Sequence, residues 1–259
     1  MVRDQLRRGL NAPRLSVIMP LPETPSVLAM PTDANPFRLL VFDWDGTLMD
    51  SIGTIVACTQ ATICDLDLGK LPEKTIRGMI GLSLRQTIEI LSPGCDEALF
   101  SRILDRYREH WHSTYRDMPL LFPGAGELLR DLAGAGYLLA VATGKSRRGL
   151  DYALDQTGLS RLFHATRTVD EAFSKPHPKM LLDLLDELGV APRDAVMIGD
   201  TTYDLEMARS ARTAAVGVCS GGHSREELLE LEPLACLDDV VGLRPWLAER
   251  MAPVTAVGA

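Results

Sequence analysis

One stretch constrains this chain more than any other: residues 39–51, LLVFDWDGTLMDS. The apolar run Leu39-Leu40-Val41-Phe42 leads straight into Asp43 and Asp45, and Gly46 then breaks it before Thr47. An uninterrupted apolar run suits a strand buried on both faces of a parallel sheet. Side chains two apart on a strand share a side, so both carboxylates face one space at the strand's carboxyl end. In open α/β sheets, ligands bind outside that end.

The remainder of the chain fits such a sheet. Ile52, Ile55, Val56, Thr59, Ile63 and Leu66 recur at helical spacing. Pro72 opens a second helix, LRQTIEIL makes a third, and DEALFSRILDRYREHWHSTY a fourth, with Leu99, Ile103, Tyr107 and Trp111 four apart. From Pro123-Gly124 the pattern alternates. Strands are expected at 137–142, near 162–166, at 195–199 and at 214–219, with helices from 125 to Gly134 or Gly136 and over the residues 146–157, 178–188, 203–211 and 224–231, then a weak strand and helix to 250. Such alternation predicts an α/β fold with a doubly wound parallel sheet, a Rossmann-like core, and an inserted all-helical cap. The expected division is a core of residues 37–51 and 121–250, a helical cap over 52–120, and a tail over 251–259. Residues 1–36, with prolines at 13, 20, 22, 25, 31 and 36, read as a flexible extension.

Composition narrows the partners. A net charge of -8 argues against nucleic acid, whose phosphates are met by Lys and Arg. No apolar stretch approaches the roughly 20 residues that span a membrane. Arg3, Arg7 and Arg8 precede LSVIMPLP in the manner of an export signal, but Pro20 and Pro22 interrupt that run. Five cysteines, Cys58, Cys64, Cys95, Cys219 and Cys236, lack any CxxC pairing, so a reduced cytoplasmic protein is expected, as a monomer or homodimer.

Reactive side chains close each of four expected strands. The first gives Asp43, Asp45 and Thr47; the second gives Thr143, Gly144 and Lys145. The loop after the third carries Lys175 in SKPHP, and the fourth ends in Asp200, with Asp204 one helical turn on. Singly, each has a bland reading as a turn, a cap or a solvated charge. Together they converge where strand ends meet. Three carboxylates near one point repel and call for a hard cation; Mg²⁺ suits few protein ligands plus phosphate oxygens. A carboxylate can accept a phosphoryl group. A second carboxyl can protonate the leaving oxygen and then deprotonate water. A Lys and a hydroxyl can neutralise the non-bridging oxygens.

On these four motifs the chain resembles the haloacid dehalogenase superfamily, in its phosphoglycolate phosphatase-like branch. DWDGT at 43–47 matches its DxDGT, Thr143 its second hydroxyl, KPHP at 175–178 its KPxP, and the residues 199–204 its GDxxxD. The likeness runs from residue 38 to about 240. It implies that Asp43 is the nucleophile and a Mg²⁺ ligand. Asp45 is implied as general acid/base, with its main-chain carbonyl on the metal. Thr143 and Gly144 would hold phosphate, Lys175 would pair with phosphate and nucleophile, Asp200 would ligate Mg²⁺, and Asp204 would support the metal or Lys175. Members that cleave carbon–halogen bonds lack an acid at the place of Asp45, so its presence favours a phosphate ester or anhydride.

The implied activity is a Mg²⁺-dependent phosphatase of a small phosphorylated metabolite, with 2-phosphoglycolate as lead substrate. A broad sugar or nucleotide phosphatase, a pyrophosphatase, a phosphomutase and a noncatalytic phosphate-binding protein are the alternatives. In the turn RGMIGLSLRQ, Arg85 is a candidate to hold a second anionic group of the substrate. Lys145 and His177 read as solvated or supporting, Trp44 as packing away from the metal, and His223 as a loop residue. Ser220-Gly221-Gly222 could approach the site, and Arg108, His110, His112 and Arg116 read as the polar face of one helix.

Overall fold

β1, Leu39–Phe42, lies at the centre of a six-stranded, wholly parallel sheet ordered β3-β2-β1-β4-β5-β6. The structure, a computed structural model, describes residues 37–114 and 121–251. The expectations for residues 1–36, for the tail past 251 and for Arg116 lie outside the described residues. The other strands are β2 (Leu138–Thr143), β3 (Ala165–Thr168), β4 (Ala195–Gly199), β5 (Ala214–Val218) and β6 (Ala235–Leu237). The sheet matches the sequence expectation of a doubly wound α/β core.

Both faces of β1 are covered, which is why its apolar run does not alternate. Leu40 and Phe42 pack under α5 (Ala125–Gly134), α6 (Arg147–Thr157) and α10 (Leu243–Met251), while Leu39 and Val41 meet α7 (Lys179–Leu188) and α8 (Thr202–Ser210). All four are fully buried. Each such side chain contributes about 1.5–3 kcal/mol. β3 begins three residues later than the sequence suggests. Leu162 and Phe163 supply the apolar signal there, but they pack on the core from a loop, and the strand itself reads ATRT on the sheet edge.

Strand order reverses at β1: β2 pairs on one side and β4 on the other, with Phe42 level with Val141 and with Ile198. Such a switch point opens a crevice at the carboxyl ends of the strands. The residues just past Phe42, Val141 and Ile198 include Asp43, Thr143 and Asp200, so register alone brings them to one edge.

Between β1 and α5, past an isolated Asp45–Met49 bridge, the regular elements among the described residues are all helices: α1 (Ile52–Asp65), α2 (Glu73–Arg77), α3 (Leu84–Leu91) and α4 (Glu97–Thr114), with α1 packed along α4. Ser83 starts α3 with a capping box, its hydroxyl accepting from the Gln86 N–H while the Gln86 side chain accepts from the Ser83 N–H. This insertion is tied to the sheet edge. The Tyr203 hydroxyl donates to the Gly78 carbonyl at 2.7 Å, and the Ser83 N–H donates to Ser174 Oγ at 3.0 Å. α9 (Arg225–Leu229) completes the helices.

Candidate active site

Asp43 leaves β1 with its N–H donating to the Ile198 carbonyl at 2.9 Å, so the sheet ladder itself fixes its backbone. Lys175 Nζ stands 2.7 Å from Asp43 Oδ1 and 2.6 Å from Asp204 Oδ1, and all three residues are buried. Desolvation opposes the ammonium, but the two carboxylates outweigh it and hold the Lys175 charge beyond the usual lysine range. Asp204 is fully committed: its other oxygen accepts from the Thr201 N–H and hydroxyl at 3.1 and 2.7 Å, a capping box at the start of α8.

Asp200, at the end of β4, is held from two sides. Thr47 Oγ donates to one of its oxygens at 2.8 Å, and the Gly222 N–H donates to the other at 2.7 Å. That closeness requires glycine twice. A Cβ on Gly221 would lie 1.9 Å from Asp200 Oδ2, and one on Gly46, whose φ is +80°, would lie 2.2 Å from the same atom. Ser220 Oγ donates to the Gly46 carbonyl at 3.0 Å, fastening the two loops together. The glycine loop expected to approach the site does so.

One oxygen each from Asp43, Asp200 and Asp204 lie within 4.8 Å of one another, all from buried residues. Burial, only partly offset by Lys175, raises Asp43 from 3.8 to about 7. Burial and the charges of Asp43 and Asp204 push Asp200 well above the carboxylate range, against the two hydrogen bonds that favour its ionised form. Two mutually repelling buried carboxylates with oxygen donors fit a small hard cation such as Mg²⁺. Asp204 gives one oxygen to the Lys175 ammonium and the other to two Thr201 donors, whereas each Asp200 oxygen accepts a single uncharged donor and keeps a lone pair, so Asp43 and Asp200 are the better-placed side-chain donors.

Asp45 stands apart from this cluster and faces the cavity. Its Oδ1 accepts from Ser51 Oγ at 2.6 Å and from Lys145 Nζ at 2.9 Å. Lys145 in turn lies 4.8 Å from the ring centre of Trp111, on the helical insertion. Thr143 and Gly144 line the same cavity. Gly144 sits under the insertion, where a Cβ would come within 2.8 Å of the Gly81 carbonyl.

A family model described as haloacid dehalogenase-like hydrolase matches residues 40–218. The chain belongs to that family. Among curated relatives, the protein named "Probable phosphatase IndB" of Dickeya dadantii is 36% identical over 211 residues, covering 79% of this chain and 92% of its own length. A phosphoglycolate phosphatase of Agrobacterium fabrum is 29% identical, covering 85% of this chain and 97% of that protein. Among solved structures, a hydrolase from Pseudomonas syringae superposes with a TM-score of 0.73 at 26% identity, over 81% of this chain and 97% of that one.

In this haloacid dehalogenase-like hydrolase, Asp43, Asp45, Thr143, Gly144, Lys175, Asp200 and Asp204 all gather at one edge of the sheet. Arg85 does not join them. It stands largely exposed, stacks on Phe100 at 4.1 Å and pairs with Glu97 at 3.3 Å, away from the cavity lining. As the second residue of α3, it points to α4 rather than to the sheet. Arg77 is likewise paired, with Glu73.

Trp44 is fully buried in the core against Phe163, as expected. His223 Nδ1 accepts from the Thr202 N–H, a loop-fastening role. Of the two readings given for Lys145, the supporting one holds, since it pairs with Asp45, and Ser51 joins it on the same oxygen. The basic run on α4 divides: His110, beside Arg106, meets Asp65, while Arg108 and His112 reach the cavity lining.

Proposed function

We propose that this hydrolase is a Mg²⁺-dependent phosphatase of a small phosphorylated metabolite, working through a phosphoryl group on Asp43. The observation that carries the reading is the buried Asp43–Lys175–Asp204 array beside Asp200, with a separate carboxyl, Asp45, facing the cavity. A bound Mg²⁺, held by Asp43, Asp200 and the Asp45 carbonyl, would neutralise these acids and the phosphate oxygens.

The chain's own groups divide the remaining work. An Asp43 oxygen attacks phosphorus while the ester P–O bond breaks, and Asp45 delivers its proton to the departing alkoxide. Water then attacks phosphorus, Asp45 takes the water's proton, and the bond to Asp43 breaks to release phosphate. Lys175 keeps Asp43 oriented and offsets charge on the transferring group, and the Thr143 hydroxyl and Gly144 N–H are available to its oxygens. Asp204 holds Lys175, and Lys145 with Ser51 fixes the Asp45 carboxyl.

The helical insertion serves as a cap that shields these steps from water. The reference substrate is 2-phosphoglycolate, indicated by the sequence resemblance and by the name of the Agrobacterium relative. Free cysteines support a reducing, cytoplasmic setting, and no helix among the described residues is long and apolar enough to cross a membrane.

The test is Mg²⁺-dependent phosphate release from a panel of phosphorylated metabolites and p-nitrophenyl phosphate. Release that disappears with EDTA is expected. Failure to release phosphate from every compound would overturn the reading.

A further inference from the structure

The cavity above the acids is shaped for something other than a two-carbon acid. It encloses about 500 Å³. Sites of roughly 300–1,000 Å³ take whole small molecules of drug size. Its floor is polar, with Asp43, Asp45, Thr143 and Lys145, but much of its wall is apolar and aromatic, including Ile55, Met79, Ile80, Leu84, Tyr107 and Trp111.

The aromatic part of that wall is ordered. Tyr107 and Trp111, one turn apart on α4, stack with ring centres 6.1 Å apart and planes 21° apart. Lys145 links this stack to the chemistry, since the Nζ that lies 2.9 Å from Asp45 also lies 4.8 Å from the Trp111 ring centre. A leaving oxygen beside Asp45 therefore opens into the same cavity as these rings. Flat groups gain from such contact beyond the area they bury.

The charges tell against a short acid. A glycolate carboxylate would need a cation close to Asp45. Among the described lining residues, Lys145 is the buried-side cation, with 11% of its side chain exposed, and Asp45 already holds it. Arg108, His112 and Arg148 also line the cavity, but all three are exposed.

We propose that the preferred substrate is a phosphomonoester whose alcohol carries a flat, uncharged ring, with the ring against Trp111 and Tyr107 and the phosphoryl group at Asp43. This rests on the phosphatase reading and narrows it.

Four compounds test it: 2-phenylethyl phosphate, 2-cyclohexylethyl phosphate, ethyl phosphate and 2-phosphoglycolate, compared by kcat/KM with Mg²⁺. The three simple esters leave as similar alkoxides, so differences report binding of the alcohol part. The phenyl ester should exceed ethyl phosphate and 2-phosphoglycolate by roughly tenfold or more, given the apolar area a ring buries. It should also exceed the cyclohexyl ester. In Trp111→Leu, which keeps apolar bulk and removes the plane, the phenyl-to-ethyl ratio should fall several-fold.

Should that variant not fold, competitive inhibition of the unaltered enzyme by 2-phenylethylphosphonate and ethylphosphonate gives the same comparison, with the phenyl compound expected to bind tighter. Equal kcat/KM for phenyl and ethyl esters, or a lead for 2-phosphoglycolate, would overturn the ring assignment and leave the phosphatase reading standing. A phenyl preference unmoved in Trp111→Leu would overturn the placement on α4. If none of the four is hydrolysed, the ring assignment falls, and the phosphatase reading falls with it when the metabolite panel and p-nitrophenyl phosphate also release no phosphate.

Discussion

The edge of the sheet and the helical insertion that faces it are built on opposite principles. At the sheet edge, Asp43, Lys175, Asp200 and Asp204 are all buried, and every one is held by another charge, a hydroxyl or a backbone N–H. On the insertion, the ion pairs Arg85–Glu97 and Arg77–Glu73 are exposed, and the surface turned to the cavity is largely apolar. Exposed pairs contribute little to stability, whereas breaking a buried one strands an uncompensated charge. The sheet edge therefore tolerates almost no change, and the insertion is free to vary its lining. The proposed reaction chemistry belongs to the first region and the proposed choice of alcohol to the second.

Lys175→Met is the severest way to probe that contrast. It leaves Asp43 and Asp204 buried without their cation, and removing one partner of a buried pair costs about 3–5 kcal/mol. Chemical denaturation should show a loss of that order together with loss of turnover. A variant of unchanged stability would contradict the role given to the buried array.

Asp45→Asn comes next. It preserves shape but cannot move the proton, so kcat/KM, which reports transfer to Asp43 and not the later water step, should fall by roughly 10²–10⁴-fold for alkyl phosphates. A much smaller deficit is expected with p-nitrophenyl phosphate, whose leaving group needs little protonation. Equal losses on the two substrates would argue against proton transfer by Asp45.

A smaller effect should appear in the metal-free protein's stability as pH varies. Burial raises Asp43 from 3.8 to about 7 in the folded state, and Asp200 is raised as well. The fold thus retains protons that the unfolded chain has lost. The stabilising contribution of Asp43 is full below its unfolded pKa and is lost as pH rises through about 7, and that of Asp200 is likewise lost toward high pH. Added Mg²⁺ neutralises the exposed repulsion, so the rise in Tm it causes should be larger at about pH 8 than at about pH 5. Equal rises at both pH values, measured by thermal unfolding with Mg²⁺ against EDTA, would contradict this.

Arg85→Ala should do least. Because Arg85 pairs with Glu97 in solvent and does not line the cavity, KM for the best substrate and Tm should both stay close to those of the parent. A marked rise in KM would return Arg85 to the site and blur the contrast between the two regions.

The same contrast explains what could be read from the sequence. β1 was legible because burial on both faces leaves an unbroken apolar run, and the acids after it were legible because strand ends of a parallel sheet meet. Gly46 and Gly221 carried a visible signal too, since glycine beside a strand end permits close backbone approach. Lys145, Ser51 and Trp111 were not legible as a group. Their meeting depends on how α4 lies over the sheet, and a lysine next to a motif looks the same whether solvated or paired. β3 was displaced for a related reason: Leu162 and Phe163 are core residues on a loop, and apolarity alone does not separate the two. Arg85 misled because an arginine near a turn can serve a substrate or a neighbouring glutamate with equal propensity.

The central claim is that Asp43 carries the phosphoryl group. Rapid quenching of the Mg²⁺-loaded enzyme with its best substrate, followed by peptide mass spectrometry, tests it most directly. The expected result is a phosphoryl adduct on the peptide holding Asp43, removable by hydroxylamine and absent from Asp43→Asn, which should also lose turnover. An adduct on another residue, or substantial turnover by Asp43→Asn, would contradict it.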